Sequence, residues 1–235
     1  MTALHIDLHT HILPEIDDGS KSVGESIAML RAEAKDGVRI AVATPHYYPD
    51  RETPRAFDRR RGIAAKKLRE EMAKSGDLPE LRIGAEVYYY PGICRIGRED
   101  AGLLRIEGTP LLLVEMPFTD WTEAMAGELT ALHERGDTRV VLAHIDRYFS
   151  RHNLPLMEEL AAHGILFQAN TEGMAHLLTA GKLLSFFRRG EIAFLGTDCH
   201  GIAERAPDFA KGCAWIEKKA VCDAVASAER QYFGG

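Results

Sequence analysis

The chain has 235 residues, 46% of them hydrophobic and 27% charged, which suits one large domain or two small ones; α/β barrels reach this size as a single domain. Its formal net charge of -6 gives no basic face of the kind nucleic-acid binders carry, so a nucleic-acid partner is not expected. No run approaches the roughly 20 apolar residues of a membrane span, so membrane insertion is not expected either.

The first residues, MTALHIDLHTHIL, lack a basic start, and His and Asp interrupt their apolar run, so they do not read as a secretion signal. The four cysteines, Cys94, Cys199, Cys213 and Cys222, form no CxxC pair. Without an export signal they are expected to be reduced thiols in a cytoplasmic protein.

In chain order, apolar runs at 5–9, 39–44, 81–87, 110–116, 139–144, 165–170 and 192–197 read as strands. LLLVEM and RVVLAH are apolar on consecutive positions, as expected of strands covered on both faces. Helical patterns lie between them at 22–36, 54–75, 122–135, 156–163 and 174–189, most closed by a glycine, and a last one spans 209–231. The basic face of 54–75 is read as solvated rather than as a partner site. Seven βα units predict an α/β fold, either a barrel or a doubly wound parallel sheet, over residues 1–235 as one catalytic domain.

The metal-binding residue types fall at the strand ends. His9 and His11 close the first run, His46 the second, Glu86 the third, Glu115 the fourth and His144 the fifth; Asp198 and His200 close the seventh. In a parallel barrel these ends share one rim, where active sites are built. Asp18, in the first loop, adds another carboxylate. A lone histidine or glutamate at such a place is more often structural, and His5, His133, His152, His163 and His176 are read that way. The set is different: buried carboxylates need partners, and imidazole with carboxylate suits zinc, iron or manganese. So many ligands exceed one ion's needs. Two or three divalent ions are expected, with Glu86 as the bridging carboxylate; paired ions are a standard device for phosphoester hydrolysis.

The motifs IDLHTHILPEIDDGSKS, ATPHYYP, GAEVYY, LLVEMPF, LAHIDRY and GTDCHGIAER span almost the whole chain. In them the sequence resembles the PHP (polymerase and histidinol phosphatase) superfamily. Within that superfamily it is similar to the CpsB/YwqE-type bacterial protein-tyrosine phosphatases of capsule and exopolysaccharide synthesis. DDG followed by Lys-Ser is the most specific of these motifs. The resemblance implies a distorted (β/α)7 TIM-like barrel with a trinuclear, manganese-supported centre. It implies ligands at His9, His11, Asp18, His46, Glu86, Glu115, His144, Asp198 and His200, with Arg147 and Arg205 on the substrate phosphate. The implied substrate is a phosphotyrosine-containing protein, the tail of a tyrosine autokinase. ATPH stands where the family usually has a second histidine, so Tyr47 occupies that position and is expected to bear on the leaving group.

Three other functions stay open at the level of sequence. Histidinol-phosphate phosphatase or another PHP phosphoesterase would use the same ligands. Cys199 and Arg205 are spaced as C-x5-R, the signature of cysteine-dependent phosphatases, although Asp198 next door opposes a thiolate. A metal-binding sensor without turnover is the third.

Overall fold

The computed structural model describes residues 5–234. Its strands are β1 (Ile6–Thr10), β2 (Ile40–Ala43), β3 (His46–Tyr47), β4 (Glu80–Ile83), β5 (Glu86–Tyr88), β6 (Leu111–Glu115), β7 (Arg139–Leu142), β8 (Leu166–Asn170) and β9 (Ile192–Gly196). All pair in parallel in one sheet, in the order β3-β5-β6-β7-β8-β9-β1-β2-β4. β2 and β3 are halves of one run interrupted at Thr44–Pro45, and β4 and β5 are halves of another interrupted at Gly84–Ala85. Ala43 pairs with Ile83 and His46 with Glu86, so the offset is the same on both sides of the break. The sheet therefore curls around seven strand positions as a distorted barrel.

The interruption has a local cause. Pro45 has no N–H to give the ladder, and Gly84 lies where a Cβ would meet the Ile106 side chain at 2.9 Å. The run expected at 81–87 is thus two short strands, and the rim residue Glu86 begins the second of them.

Helices α1 (Val23–Lys35), α2 (Pro54–Met72), α3 (Arg98–Leu104), α4 (Glu123–Glu134), α5 (Asn153–Ala162), α6 (Leu177–Arg188), α7 (Phe209–Lys218) and α8 (Asp223–Phe233) surround the sheet. Ser22, Thr53 and Thr122 cap α1, α2 and α4, each accepting from a backbone N–H of the first turn. The sequence predicts one helix over 209–231; the structure has two, because the chain turns at Ala220 with φ 55°. α3 was not expected, and 172–175 form a 3-10 turn before α6 rather than part of it. Among the described residues no helix is long and apolar enough to cross a membrane.

Ile6, Leu8, Val42, Leu111, Leu113, Val141 and Phe194 come together in one buried cluster, with Ala228 packed at its edge. These residues come from strands all around the sheet and fill the inside of the barrel. A second and larger cluster, including Ala41, Leu112, Val140 and Leu142, joins the outer face to the helices. Strand alternation puts Glu115 on the same side as Leu111 and Leu113, above the inner cluster.

Candidate metal centre

Glu86 is the hub of the rim and is 1% exposed. Its Oε2 lies 3.3 Å from His9 Nε2, 3.3 Å from His11 Nε2 and 2.9 Å from His46 Nδ1. Its Oε1 lies 2.9 Å from His144 Nε2. Asp198 Oδ1 lies 3.6 Å from His9 and 3.4 Å from His11, and Glu115 Oε1 is 3.7 Å from His144. Asp18 reaches in from the first loop, 3.4 Å from His46 Nε2 and 3.5 Å from His200 Nε2. All nine residues expected as ligands thus stand around one small space. They fall into overlapping groups able to hold an ion, among them His9–His11–Glu86, His46–Glu86–Glu115 and His11–Asp18–His46–His200. None of His5, His133, His152, His163 or His176 belongs to such a group among the described residues.

Residues that sequence reasoning did not select hold this set in place. Asp17 accepts from His11 Nδ1 at 2.8 Å and from the His46 backbone N–H at 3.1 Å, which turns His11 Nε2 towards Glu86. β8 is the one strand position without a histidine or carboxylate at its end, and it supplies amides instead. Gln168 Oε1 pairs with His9 Nδ1 at 3.2 Å and accepts from the His144 backbone N–H at 2.7 Å. Its Nε2 donates to Asn170 Oδ1, and Asn170 Nδ2 donates to Asp198 Oδ2 at 3.2 Å. Such partners fix ring orientation around metals. Gly19 lets the DDG loop fold back: a Cβ there would sit 2.2 Å from His11 O. His144, Asp198 and Arg205 all have positive φ, at 31°, 53° and 49°. Non-glycine residues adopt that conformation at a cost that clusters at functional sites.

The donor chemistry fits divalent cations. Burial acts to raise the carboxyls of Glu86 and Asp198, yet the imidazoles around them, His9 first, hold both well below the usual carboxylate range. Glu86 Oε2, His46 Nδ1 and His200 Nε2 are buried and lack a hydrogen-bond partner. The approach of Glu86 Oε2 to His46 Nδ1 at 2.9 Å is therefore contact without hydrogen-bond alignment. Donor atoms turned to a common space satisfy the burial requirement when a cation lies there.

Arg147 Nη2 and Arg205 Nη2 both reach Asp198 Oδ2, at 2.7 and 2.5 Å. The two guanidiniums converge on one negatively charged oxygen at the edge of the centre. Tyr47 does not reach it. Its side chain is 2% exposed, packs on Phe57 with ring centroids 5.2 Å apart, and donates its hydroxyl to Glu52 O at 3.2 Å. The aromatic ring beside His46 is Tyr48, at 5.4 Å. Cys199 is fully buried and points to Glu33, Sγ to Oε1 3.7 Å, behind the rim. Burial, then the nearby Glu33 and Asp7 carboxyls, push its thiol well above the usual range. A buried, protonated thiol facing away from Arg205 is no nucleophile, so the C-x5-R spacing is coincidental.

Fold and site define the class: a PHP-type α/β barrel with a histidine–carboxylate rim built to take metal ions. Residues 5–229 match the family model for capsular polysaccharide synthesis, CpsB/CapC, and the chain belongs to that family. It is 30% identical over 209 residues to the tyrosine-protein phosphatase YwqE of Bacillus subtilis (strain 168), covering 85% of this chain and 79% of that protein. It is 28% identical over 225 residues to the tyrosine-protein phosphatase CpsB of Streptococcus pneumoniae, covering 91% and 90%. Among solved structures, those of YwqE and CpsB, described as unique metal-dependent tyrosine phosphatases, give a match at TM-score 0.81 and 26% identity, over 96% of this chain and 93% of the other. A phosphotriesterase homology protein of Escherichia coli matches at TM-score 0.56 and 12% identity, a likeness of fold alone.

Proposed function

We propose that this chain is a metal-dependent protein-tyrosine phosphatase that acts in the cytoplasm on the phosphotyrosine tail of an autokinase of capsule or exopolysaccharide synthesis. The observation that carries this reading is the convergence of eight candidate ligand side chains around Glu86, with two arginines paired to Asp198 Oδ2 at the edge. The names of the YwqE and CpsB relatives support the substrate class.

His9, His11, Asp18, His46, Glu86, Glu115, His144, Asp198 and His200 would hold two or three divalent ions, manganese first and iron, zinc or cobalt as alternatives. Bound there, the ions supply positive charge and lower the pKa of water towards ~7. The rest falls to the protein. Arg147 and Arg205, which pair with Asp198 Oδ2 at the edge of the centre, would hold phosphoryl oxygens in the planar fork that a lysine lacks. Overall, an aryl phosphate and water give a phenol and inorganic phosphate. The P–O bond to the ring breaks, and the departing phenolate takes a proton at a pKa of ~10, so a strong acid catalyst is not required.

The test is turnover of phosphotyrosine, phosphoserine and small phosphate esters, histidinol phosphate included, by protein reconstituted with each metal. Preferred cleavage of phosphotyrosine peptides with manganese is expected. Preference for histidinol phosphate would move the chain to that chemistry, and no turnover with metals bound would leave a sensor.

A further inference from the structure

The aromatic residue that stands out in solvent beside the centre is Phe118. It follows β6, three residues after Glu115, and is 60% exposed. A scattered exposed phenylalanine needs no explanation. This one is held in place. Its ring stacks on His144 at 5.8 Å and 22°, and on Tyr148 at 5.6 Å and 29°. The loop that carries it is pinned from below by buried groups. Trp121 Nε1 donates to Pro117 O at 3.2 Å, Asn153 Oδ1 accepts from the Trp121 N–H at 2.8 Å, and Asn153 Nδ2 donates to Thr119 O at 3.3 Å.

Phe118 borders a cavity of about 220 Å³ that Arg147 and Tyr148 also line. One liquid water takes roughly 30 Å³, so there is room for a planar ring. Arg147, at the same cavity, already reaches the oxygen position beside the centre. Tyr48, also near the rim, lies 5.8 Å from Tyr88 and has an arginine over its ring, with Arg51 Cζ 4.2 Å from the centroid. Phe118 has no such cover and keeps an accessible surface.

We propose that Phe118 is the specificity-determining residue of this site, stacking on the aromatic ring of an aryl phosphate whose phosphoryl group is held by Arg147. The inference rests on the phosphatase reading above and narrows it: Phe118 is what favours a phenyl ester over an alkyl ester. Offset aromatic pairs contribute beyond their buried area by about 0.5–1.5 kcal/mol, which corresponds to roughly two- to tenfold in binding or kcat/KM.

The experiment compares Phe118→Ala, Phe118→Leu and Phe118→Trp with the parent, all metal-loaded and assayed for metal content. One readout is the ratio of kcat/KM for a phosphotyrosine peptide to that for the phosphoserine peptide of the same sequence. The other needs no turnover: the affinity for phenylphosphonate relative to methylphosphonate, by calorimetry. Both ratios should fall roughly two- to tenfold in Phe118→Ala and Phe118→Leu, chiefly through KM, and should be kept in Phe118→Trp. If leucine matches tryptophan, or if aryl and alkyl ligands weaken together with metals retained, the proposal is overturned. Should Phe118→Ala lose metal, the leucine and tryptophan pair decides. A parent that binds phenylphosphonate through Phe118 yet turns over neither peptide would count against the phosphatase reading while upholding the aryl site.

Discussion

Four imidazoles lean on the carboxylate of Glu86, and nothing but their common orientation explains why so polar a group is buried there. Removing one ligand should show in metal content before it shows anywhere else. His9→Ala, His46→Ala and Asp198→Ala are each expected to bind less metal and to lose at least roughly 100-fold in kcat/KM, since even outer partners of a metal site cost 10–100-fold. His133→Ala is the control, though not a silent one. His133 is 3% exposed, its Nδ1 accepts from the Val140 N–H at 3.3 Å, and its Nε2 lies 3.0 Å from Arg139. That variant should lose about 1–3 kcal/mol of stability by urea unfolding while its folded fraction keeps full metal and turnover. Equal loss of metal in all four would mean the ligand set is wrongly assigned. For the arginines the signs reverse. Arg147→Ala and Arg205→Ala should keep their metal and lose roughly ten- to a hundredfold in kcat/KM, at about 1.5–3 kcal/mol per charge-assisted bond. Lysine at either position should recover only part. Unchanged kinetics with metals bound would make both arginines mere partners of Asp198.

Among the elements, the β1–α1 loop is the most tightly determined. Asp17 and Asp18 stand side by side yet do different work: one orients His11, the other faces His46 and His200. The loop can deliver both because Gly19 passes against the backbone of His11. Gly19→Ala is therefore expected to weaken metal binding at least tenfold by calorimetric titration, with little change in far-ultraviolet circular dichroism; parent-like metal affinity would refute the close approach. Much of this rim is legible in the sequence, because glycine-punctuated βα units put most ligand candidates at or just past the ends of apolar runs. What escapes has physical reasons. Side chains alternate along an extended segment, so with His46 turned to the centre, Tyr47 must turn to the core and Tyr48 back to the rim. Asp17, Gln168 and Asn170 act through other side chains, and amides are not ligand types that a search for metal residues gathers. The division of 81–87 into β4 and β5 depends on how Gly84 meets Ile106, a contact between distant parts of the chain. The break at Ala220 has no glycine or proline to announce it.

On the scale of the molecule, the two ends of the chain are joined under the barrel. Glu229 of α8 accepts from the backbone N–H groups of His5 and Ile6 at 3.2 Å. Burial, only partly offset by those bonds, raises its carboxyl from 4.5 to about 7. An acid whose pKa is higher in the folded state binds more protons there, so its contribution is complete below pH ~4.5 and fades as pH rises to about 7. Glu229→Gln keeps an acceptor and removes the titration. Between pH 5 and 8 its stability relative to the parent should improve by up to about 2–3 kcal/mol, read from urea midpoints. Parallel pH profiles would show that Glu229 carries no buried charge.

The residues proposed as ligands run from His9 to His200, and every strand position of the barrel but one contributes to the rim. Two of the candidate groups join β1 to β5 and β3 to β6, and the third, with Asp18, reaches across to His200 beyond β9. An ion held through His200 would therefore act as a drawstring, tightened only after the last strand has come round. Parallel closure of this kind is slow, because distant segments must meet before any contact rewards them. Metal uptake during refolding should lag the appearance of helix, and a nick that frees β9 should release the ion that depends on His200. A chain cut before β9 would lack Asp198, His200 and Arg205 together, and is expected to hydrolyse nothing.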